Sequence, residues 1–227
     1  MMKLILSLTL IWALCSTAAA LMCQTCTDLQ CSSTTSVTCS SETACISASI
    51  DAVLFQNPGQ VIFKGCALRS LCPTPGSRTF SVNFGGLRAV ASAECCTADN
   101  CNSATLPFPA DQSTNTLSCL TCDPATSQCT NRLQCSGVED QCFQASVMSG
   151  STNIAAFGCA SRNLCAAAAG LADLPFLQNI GNITSGPACC GTSMCNTVAT
   201  TNAASDARCI QLGVIHLLLG LLVFSLY

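Results

Sequence analysis

The sequence has few of the side chains that enzymes and nucleic-acid-binding proteins use. Among 227 residues it has one histidine, one tryptophan and one tyrosine, and only 8% of its residues are charged. The histidine, His216, lies in an apolar tail, so the rest of the chain shows no base that would activate a serine nucleophile. Residues 21–202 contain six basic and ten acidic side chains and no basic patch, which argues against nucleic acid as a partner. The composition favours a binding protein over an enzyme.

The acidic residues are scattered, and their densest cluster is Val138-Glu139-Asp140, which we interpret as a solvated turn. Because charge is sparse, electrostatic steering of a partner is expected to be weak. Shape and apolar contact remain as the means of recognition.

The N-terminal residues are typical of a secretory signal. Lys3 precedes an apolar run that ends at Leu14, and Ala18 and Ala20 occupy the two small-residue positions that a signal peptidase reads. The run is too short to span a bilayer of roughly 30 Å. We therefore expect residues 1–20 to be a signal peptide that is removed.

The C-terminal residues are typical of a signal for a glycosylphosphatidylinositol (GPI) anchor. Residues 212–227 are almost entirely apolar, and a stretch of small and polar residues precedes them. No Lys or Arg follows the apolar run, as one would beyond a transmembrane helix. We expect the lipid on Asn202, with Ser205 as the alternative, and removal of the propeptide 203–227.

Cysteine is abundant. Of 22 cysteines, one lies in the signal and one in the tail, which leaves twenty between Leu21 and Asn202. An even number in an oxidising compartment indicates ten disulfides and no free thiol. CxxC pairs also occur in zinc and redox sites, but the mature chain has no histidine and no thioredoxin-like pattern surrounds them. We expect no metal and no cofactor.

The twenty cysteines form two sets of ten related by an internal repeat. GCALRSLC at 65–72 matches GCASRNLC at 158–165 at six of eight positions. CCTADNCN in the first set likewise corresponds to CCGTSMCN in the second. Two copies of one unit follow from this repeat. The expected domains are 21–102 and 119–196, and a cysteine-free stretch with two prolines, 103–118, links them. A short stalk, residues 197–202, would lead to the anchor.

Each unit of about 80 residues is small for a single hydrophobic core, so disulfides must replace much of the packing. Alternating apolar residues between the cysteines predict hairpins in each unit. The sequence Asn57-Pro58-Gly59 predicts the turn of one hairpin, and Gly85-Gly86 predicts the turn of the next. In the second unit, AAAAGLADL at 166–174 predicts a short helical turn instead.

In its order of cysteines and its two CCxxxxCN endings, the chain resembles the lymphocyte-antigen-6/urokinase-receptor family over residues 21–196. The resemblance implies an all-β, disulfide-rich fold of two tandem three-finger (snake-toxin-like) domains. Two units in tandem also resemble the gamma-type inhibitors of secreted phospholipases.

The resemblance implies the cysteine pairs as well. In the first unit these are Cys23–Cys45, Cys26–Cys31, Cys39–Cys66, Cys72–Cys95 and Cys96–Cys101. In the second unit they are Cys119–Cys142, Cys122–Cys129, Cys135–Cys159, Cys165–Cys189 and Cys190–Cys195. Asn102 and Asn196, which follow the last cysteine of each unit, resemble structural pegs whose amides bond main-chain groups between strands.

The candidate binding surface is the tip of finger two of the first unit. Val53, Leu54 and Phe55 are consecutive apolar residues, so at least one of them must point to solvent from a two-sided hairpin. Exposed apolar residues on a long loop are typical of a contact site. The alternative is that Phe55 folds back over the palm or packs against the other unit.

These observations predict a receptor-like protein, not an enzyme, held by a GPI anchor on the extracellular face of the plasma membrane and also shed or secreted. Its expected partner is an extracellular or cell-surface protein. Two alternatives stay open: a secreted phospholipase inhibitor of the two-domain gamma type, and an adhesive surface-coat protein. Asn182 begins the only N-glycosylation sequon and is the expected glycan site.

Overall fold

The computed structural model describes residues 20–28, 30–54, 57–123, 126, 128–149, 152–171 and 182–197. The expected signal up to Ala19, Phe55 at the candidate tip, and both expected anchor sites, Asn202 and Ser205, lie outside these residues. The described part is β-strand with one α-helix and ten disulfides. It is the all-β, disulfide-rich, two-unit architecture that the sequence predicts.

The first unit contains six strands that form three hairpin-like fingers. The strands are β1 (Met22–Cys26), β2 (Thr34–Thr38), β3 (Ala44–Leu54), β4 (Asn57–Ala67), β5 (Gly76–Asn83) and β6 (Leu87–Cys96). Finger one is β1–β2, finger two is β3–β4 and finger three is β5–β6. A 3-10 turn at Cys101–Ser103 ends the unit.

The second unit repeats the first two fingers and changes the third. Its elements are β7 (Thr114–Thr121), β8 (Asn131–Ser136), β9 (Gln141–Ser149), β10 (Thr152–Ala160), α1 (Arg162–Leu171) and β11 (Asn182–Cys190). Helix α1 takes the place in the chain order that β5 has in the first unit. Among its described residues the second unit contributes three strands to the large sheet, β9, β10 and β11.

The large sheet runs through both units. Its seven strands lie in the order β11-β9-β10-β5-β6-β3-β4, and all pairs are antiparallel. The first fingers form separate two-stranded sheets, β1-β2 and β7-β8. Strand β10 pairs with β5, so the two units meet edge to edge within one sheet.

One predicted turn is wrong. Asn57, Pro58 and Gly59 lie in β4, and the β3–β4 ladder continues until Leu54 pairs with Asn57. Proline lacks the N–H that a central strand must donate, but β4 is an edge strand, where that group is not required. The turn predicted at Gly85 is confirmed, because Gly85 has a φ of 86° between β5 and β6.

Helix α1 begins four residues before the predicted helical turn. The Ser161 Oγ accepts a hydrogen bond from the Leu164 N–H at 3.3 Å, and an Asp140 carboxylate oxygen accepts one from the Arg162 N–H at 2.9 Å. These two side chains satisfy backbone donors that the first helical turn leaves unpaired. Ser161 is therefore an N-cap that the apolar pattern at 166–174 did not indicate.

The ten bridges in the structure join the same cysteine pairs that the family resemblance implies. At the base of each unit, buried cysteines form a cluster of their own, among them Cys23 and Cys45 in the first unit and Cys119 and Cys142 in the second. Such small domains commonly depend on cross-links of this kind.

Candidate interaction surface

The asparagine that ends the first unit ties two fingers together. Asn102 is buried; its Oδ1 accepts a hydrogen bond from the Gln24 N–H at 2.9 Å, and its Nδ2 donates to the carbonyl oxygens of Gln24 at 2.8 Å and Ile46 at 2.9 Å. Its amide therefore links β1 to β3.

Asn196 makes the corresponding bonds in the second unit. It accepts from the Leu120 N–H at 2.9 Å and donates to the carbonyl oxygens of Leu120 at 2.9 Å and Phe143 at 3.1 Å. Since a buried amide can donate and accept at once, one side chain satisfies three main-chain groups. The fingers of each unit thus start from a fixed base.

Finger two of the first unit is supported along its whole length. Strand β3 pairs with β4 on one side and with β6 on the other, and Leu54 at its end pairs with both Asn57 and Leu87. Val53 is 38% exposed there. The structure therefore places Val53 at the surface of a braced tip and places Leu54 at the end of the ladder, while Phe55 lies outside the described residues.

The same finger carries an apolar face that the consecutive residues at its tip did not reveal. Phe63 pairs with Ala48 across the strands, and Val61 pairs with Ile50, so these side chains share one face of the sheet. Phe63 is 36% exposed and Val61 is half-buried, whereas Ala48 is buried in a cluster with Ala167 of helix α1. The alternation at Val61 and Phe63 was the available signal, but alternation alone does not say how much of this face helix α1 covers.

The linker lies along the opposite face of finger two. Ser47 and Ser49 donate hydrogen bonds to the carbonyl oxygens of Ala104 and Leu106 at 2.8 and 2.6 Å. The Nζ of Lys64 donates to the Ser103 carbonyl oxygen at 2.5 Å, and burial lowers the pKa of Lys64. The start of the linker is therefore packed against the first unit.

The joint between the units is built on β5. Asn83 pairs with Cys159 in β10, and next to this pair Ser81 exchanges two hydrogen bonds with Ser161. The Ser161 N–H donates to the Ser81 carbonyl oxygen at 2.9 Å, and the Ser81 N–H donates to the Ser161 Oγ at 3.0 Å. Gly158 allows this approach, since a Cβ there would lie 2.0 Å from the Asn83 carbonyl oxygen.

Glu139 contradicts the interpretation of residues 138–140 as a solvated turn. Its side chain is fully buried; Oε1 accepts a hydrogen bond from the Ser81 Oγ at 2.8 Å, and Oε2 accepts one from the Ser136 N–H at 2.8 Å. Val138 and Asp140 are exposed as expected. A buried carboxylate is tolerated only with hydrogen-bond donors, and here one donor comes from each unit.

The other face of β5 is covered by helix α1. Phe80, next to Ser81 in the strand, lies in one buried cluster with Ala167 of the helix, and Leu164 packs against that cluster. The rings of Phe84 and Phe143 also meet across the joint, 5.7 Å apart between centroids. Because neighbouring strand residues point to opposite faces, the second unit contacts β5 on its edge and on both faces.

A cleft of about 540 Å³ opens beside this joint. Its lining includes Arg78 from β5, the packed linker residue Leu106, and Asp140 and Arg162 from the second unit. Arg162 and Asp140 form an exposed ion pair at 3.1 Å. The lining therefore carries both charges and has no uniform preference for an anionic, cationic or apolar ligand.

The u-PAR/Ly-6 domain family matches residues 19–104 and again residues 115–198. The chain belongs to the u-PAR/Ly-6 domain family. No curated protein was found to match it. Domains of this family commonly bind extracellular proteins, are typically found outside the cell or at its surface, and are generally not enzymes.

Two further expectations concern the membrane and the glycan. Within the ranges that the structure describes, no helix is long and apolar enough to cross a bilayer. Asn182 begins β11, at the outer edge of the large sheet opposite β4, and its backbone pairs with Met148.

Proposed function

We propose that this protein is a GPI-anchored binding protein of the extracellular cell surface, and that it recognises a protein partner with finger two of its first unit. The observation that carries the proposal is the exposure of two apolar side chains on that finger, Val53 at the tip on one face and Phe63 on the other. Exposed apolar side chains on a braced loop lose little conformational entropy on binding.

The composition agrees with this mode of recognition. The mature region has few charges, so its contact surface must depend on shape and apolar area. Truncating an apolar anchor at the centre of an interface typically costs about 2 kcal/mol or more, which is more than tenfold in affinity.

The tip is tested with the double variant Leu54→Ser/Phe55→Ser in the full-length protein. Proximity labelling around the protein on its native cells identifies the partner, and binding of that purified partner to displaying cells is then measured. The double variant should bind at least about tenfold more weakly than the parent. Val37→Ser is the matched control, because Val37 is 39% exposed but lies on finger one. Equal binding by the double variant and the parent would remove the tip of finger two as the site, and equal binding by Phe63→Ser as well would remove the finger.

The anchor is tested separately. A phosphatidylinositol-specific phospholipase should release the protein from the cell surface, and deletion of residues 212–227 should yield a secreted protein. A surface protein that still contains Tyr227 would show that the tail is retained and that the anchor proposal is wrong.

A further inference from the structure

Strand β4 presents an open edge of unusual composition. It is the last strand of the seven-stranded sheet, and among the described residues it pairs only with β3. The stretch from Pro58 to Phe63, PGQVIF, has no charged residue and is exposed or half-buried throughout. An edge strand of this kind offers unpaired N–H and C=O groups to another strand.

The usual protection of an edge is weak here. Lysine side chains on edge strands commonly discourage pairing. The one lysine of β4, Lys64, is instead buried, with its Nζ on the Ser103 carbonyl oxygen, so it does not guard the edge. Pro58 blocks only the end of the strand next to the tip.

The chain itself shows that this side of finger two accepts a strand. The repeat makes β10 the counterpart of β4, and the outer edge of β10 pairs with β5 through Cys159 and Ala160. The positions in β4 that correspond to these two are Cys66 and Ala67, which lie at the base of the finger, and the open stretch 58–63 lies on the same edge nearer the tip.

We propose that the open edge of β4 pairs with β4 of a second copy of this protein, antiparallel and about a two-fold axis. Such an isologous contact sets the same strand against itself, and an uncharged strand meets no like charge in doing so. In a second copy β5 is already paired with β6 and β10, so the described sheet has two free edges, β4 and β11. Strand β11 contains Pro187 and the expected glycan site Asn182, so β4 is the edge that a second copy offers. With the axis at Val61, Val61 faces Val61 of the second copy and Phe63 faces Gly59 of the second copy, all on one face of the joined sheet.

The test uses a charge exchange at Val61, near the middle of the open stretch. Two differently tagged full-length copies are expressed in the same cells and copurified. The parent pair should copurify. Val61→Lys in both copies, or Val61→Glu in both, should reduce copurification by about tenfold or more, because like charges then face each other across the pair. Coexpression of one copy with Val61→Lys and one copy with Val61→Glu should restore copurification.

Val61→Thr in both copies is the matched control, since it keeps a β-branched, uncharged residue and should copurify like the parent. Surface display of every variant checks folding, and light scattering on the purified full-length parent in detergent should show a concentration-dependent dimer. A monomer at all concentrations would overturn the proposal. Failure of the Val61→Lys copy to copurify with the Val61→Glu copy would also overturn it, because it would mean that the edge has another occupant.

Discussion

In each unit a glutamate lies three residues before the cysteine in the first strand of finger two. The two glutamates have different roles. Both Glu42 and Glu139 use one carboxylate oxygen to hold the loop that precedes the finger. The Oε2 of Glu42 accepts from the N–H groups of Ser40 and Ser41 at 2.9 and 3.0 Å, and that of Glu139 accepts from the Ser136 N–H. Only Glu139 offers its other oxygen to the neighbouring unit.

The same contrast holds for the edges of the second fingers. Strand β10 pairs with β5, whereas β4 pairs only with β3 among the described residues and is open from Pro58 to Phe63. The repeat thus supplies two similar units, and a few side chains on one of them turn a shared local motif into a joint. Changing matched residues in both units separates the local role from the role in the joint.

The largest expected effect is on Glu139. Glu139→Ala leaves the Ser81 hydroxyl and the Ser136 N–H buried without their acceptor, which should lower the free energy of unfolding by about 3 kcal/mol. Glu42→Ala removes the local contacts of a half-buried side chain and should lower the free energy of unfolding by about 1 kcal/mol. Thermal or denaturant unfolding of the two oxidised variants measures the difference.

A double-mutant cycle with Ser81→Ala isolates the contact between the units. If the bond from Ser81 to Glu139 is coupled as described, the double variant should lose less stability than the sum of the two single changes. Equal losses for Glu139→Ala and Glu42→Ala, together with simple additivity, would contradict the proposed difference between them.

The next effect concerns the glycines Gly158 and Gly65, which occupy matching places in the repeat. Gly158→Ala puts a methyl group onto the backbone of Asn83 and should cost about 2 kcal/mol as β10 is pushed from β5. Gly65→Ala meets only the ring of Phe63, at 3.3 Å, and should cost less because the ring can move. Hydrogen exchange of β5 amides should rise in the first variant and stay unchanged in the second.

A smaller effect is the pH dependence of Glu42. Backbone N–H groups, chiefly its own, lower the pKa of Glu42 from its ordinary value of 4.5 despite the opposing effect of burial. A carboxyl group whose pKa is lower in the folded state stabilises the protein at any pH above its unfolded-state pKa. That stabilisation is lost as the pH falls through the folded-state pKa. The parent should therefore have a higher Tm than Glu42→Gln by a constant amount at neutral pH. This difference should fall towards zero as the pH decreases below 4.5. A difference that stays constant in acid would show that the carboxylate contributes no such stability.

The smallest effect on stability concerns the edge of the sheet opposite β4. Asn182 starts β11, and a glycan there would add bulk at that edge of the sheet. Peptide-N-glycosidase should increase the gel mobility of the parent and leave Asn182→Gln unchanged, with nearly equal Tm for both. Unaltered mobility of the treated parent would mean that the sequon is unused.

Much of the fold was predictable because cysteines have one dominant role in a small secreted domain. Their order and the two CCxxxxCN endings indicated the family, and with it the architecture. Gly85 was readable as a turn, since a positive φ favours glycine. Pro58 led to the wrong prediction of a turn because a sequence does not say which strand becomes the edge of a sheet. Proline is tolerated in an edge strand.

The joint was not predictable for a different reason. Ser81 and Asn83 alternate with Phe80 and Val82, and that pattern ordinarily means that the polar face meets water. Here Glu139 and its unit cover that face, so burial depends on residues far away in the chain. The exposed Val53 agrees with the candidate tip, but the apolar residues on the opposite face of the finger required the strand register.

The packed start of the linker and the joint have a consequence for proteolysis. Every described disulfide closes within its own unit, so one peptide chain is the sole covalent connection between them across residues 102–118. A protease that cuts that stretch would leave two cross-linked fragments held by β5, β10 and the buried Glu139. Such a nicked molecule would migrate as one species under native conditions and separate in denaturant without any reductant, so cleavage in tissue would go unnoticed by any assay that keeps the protein folded.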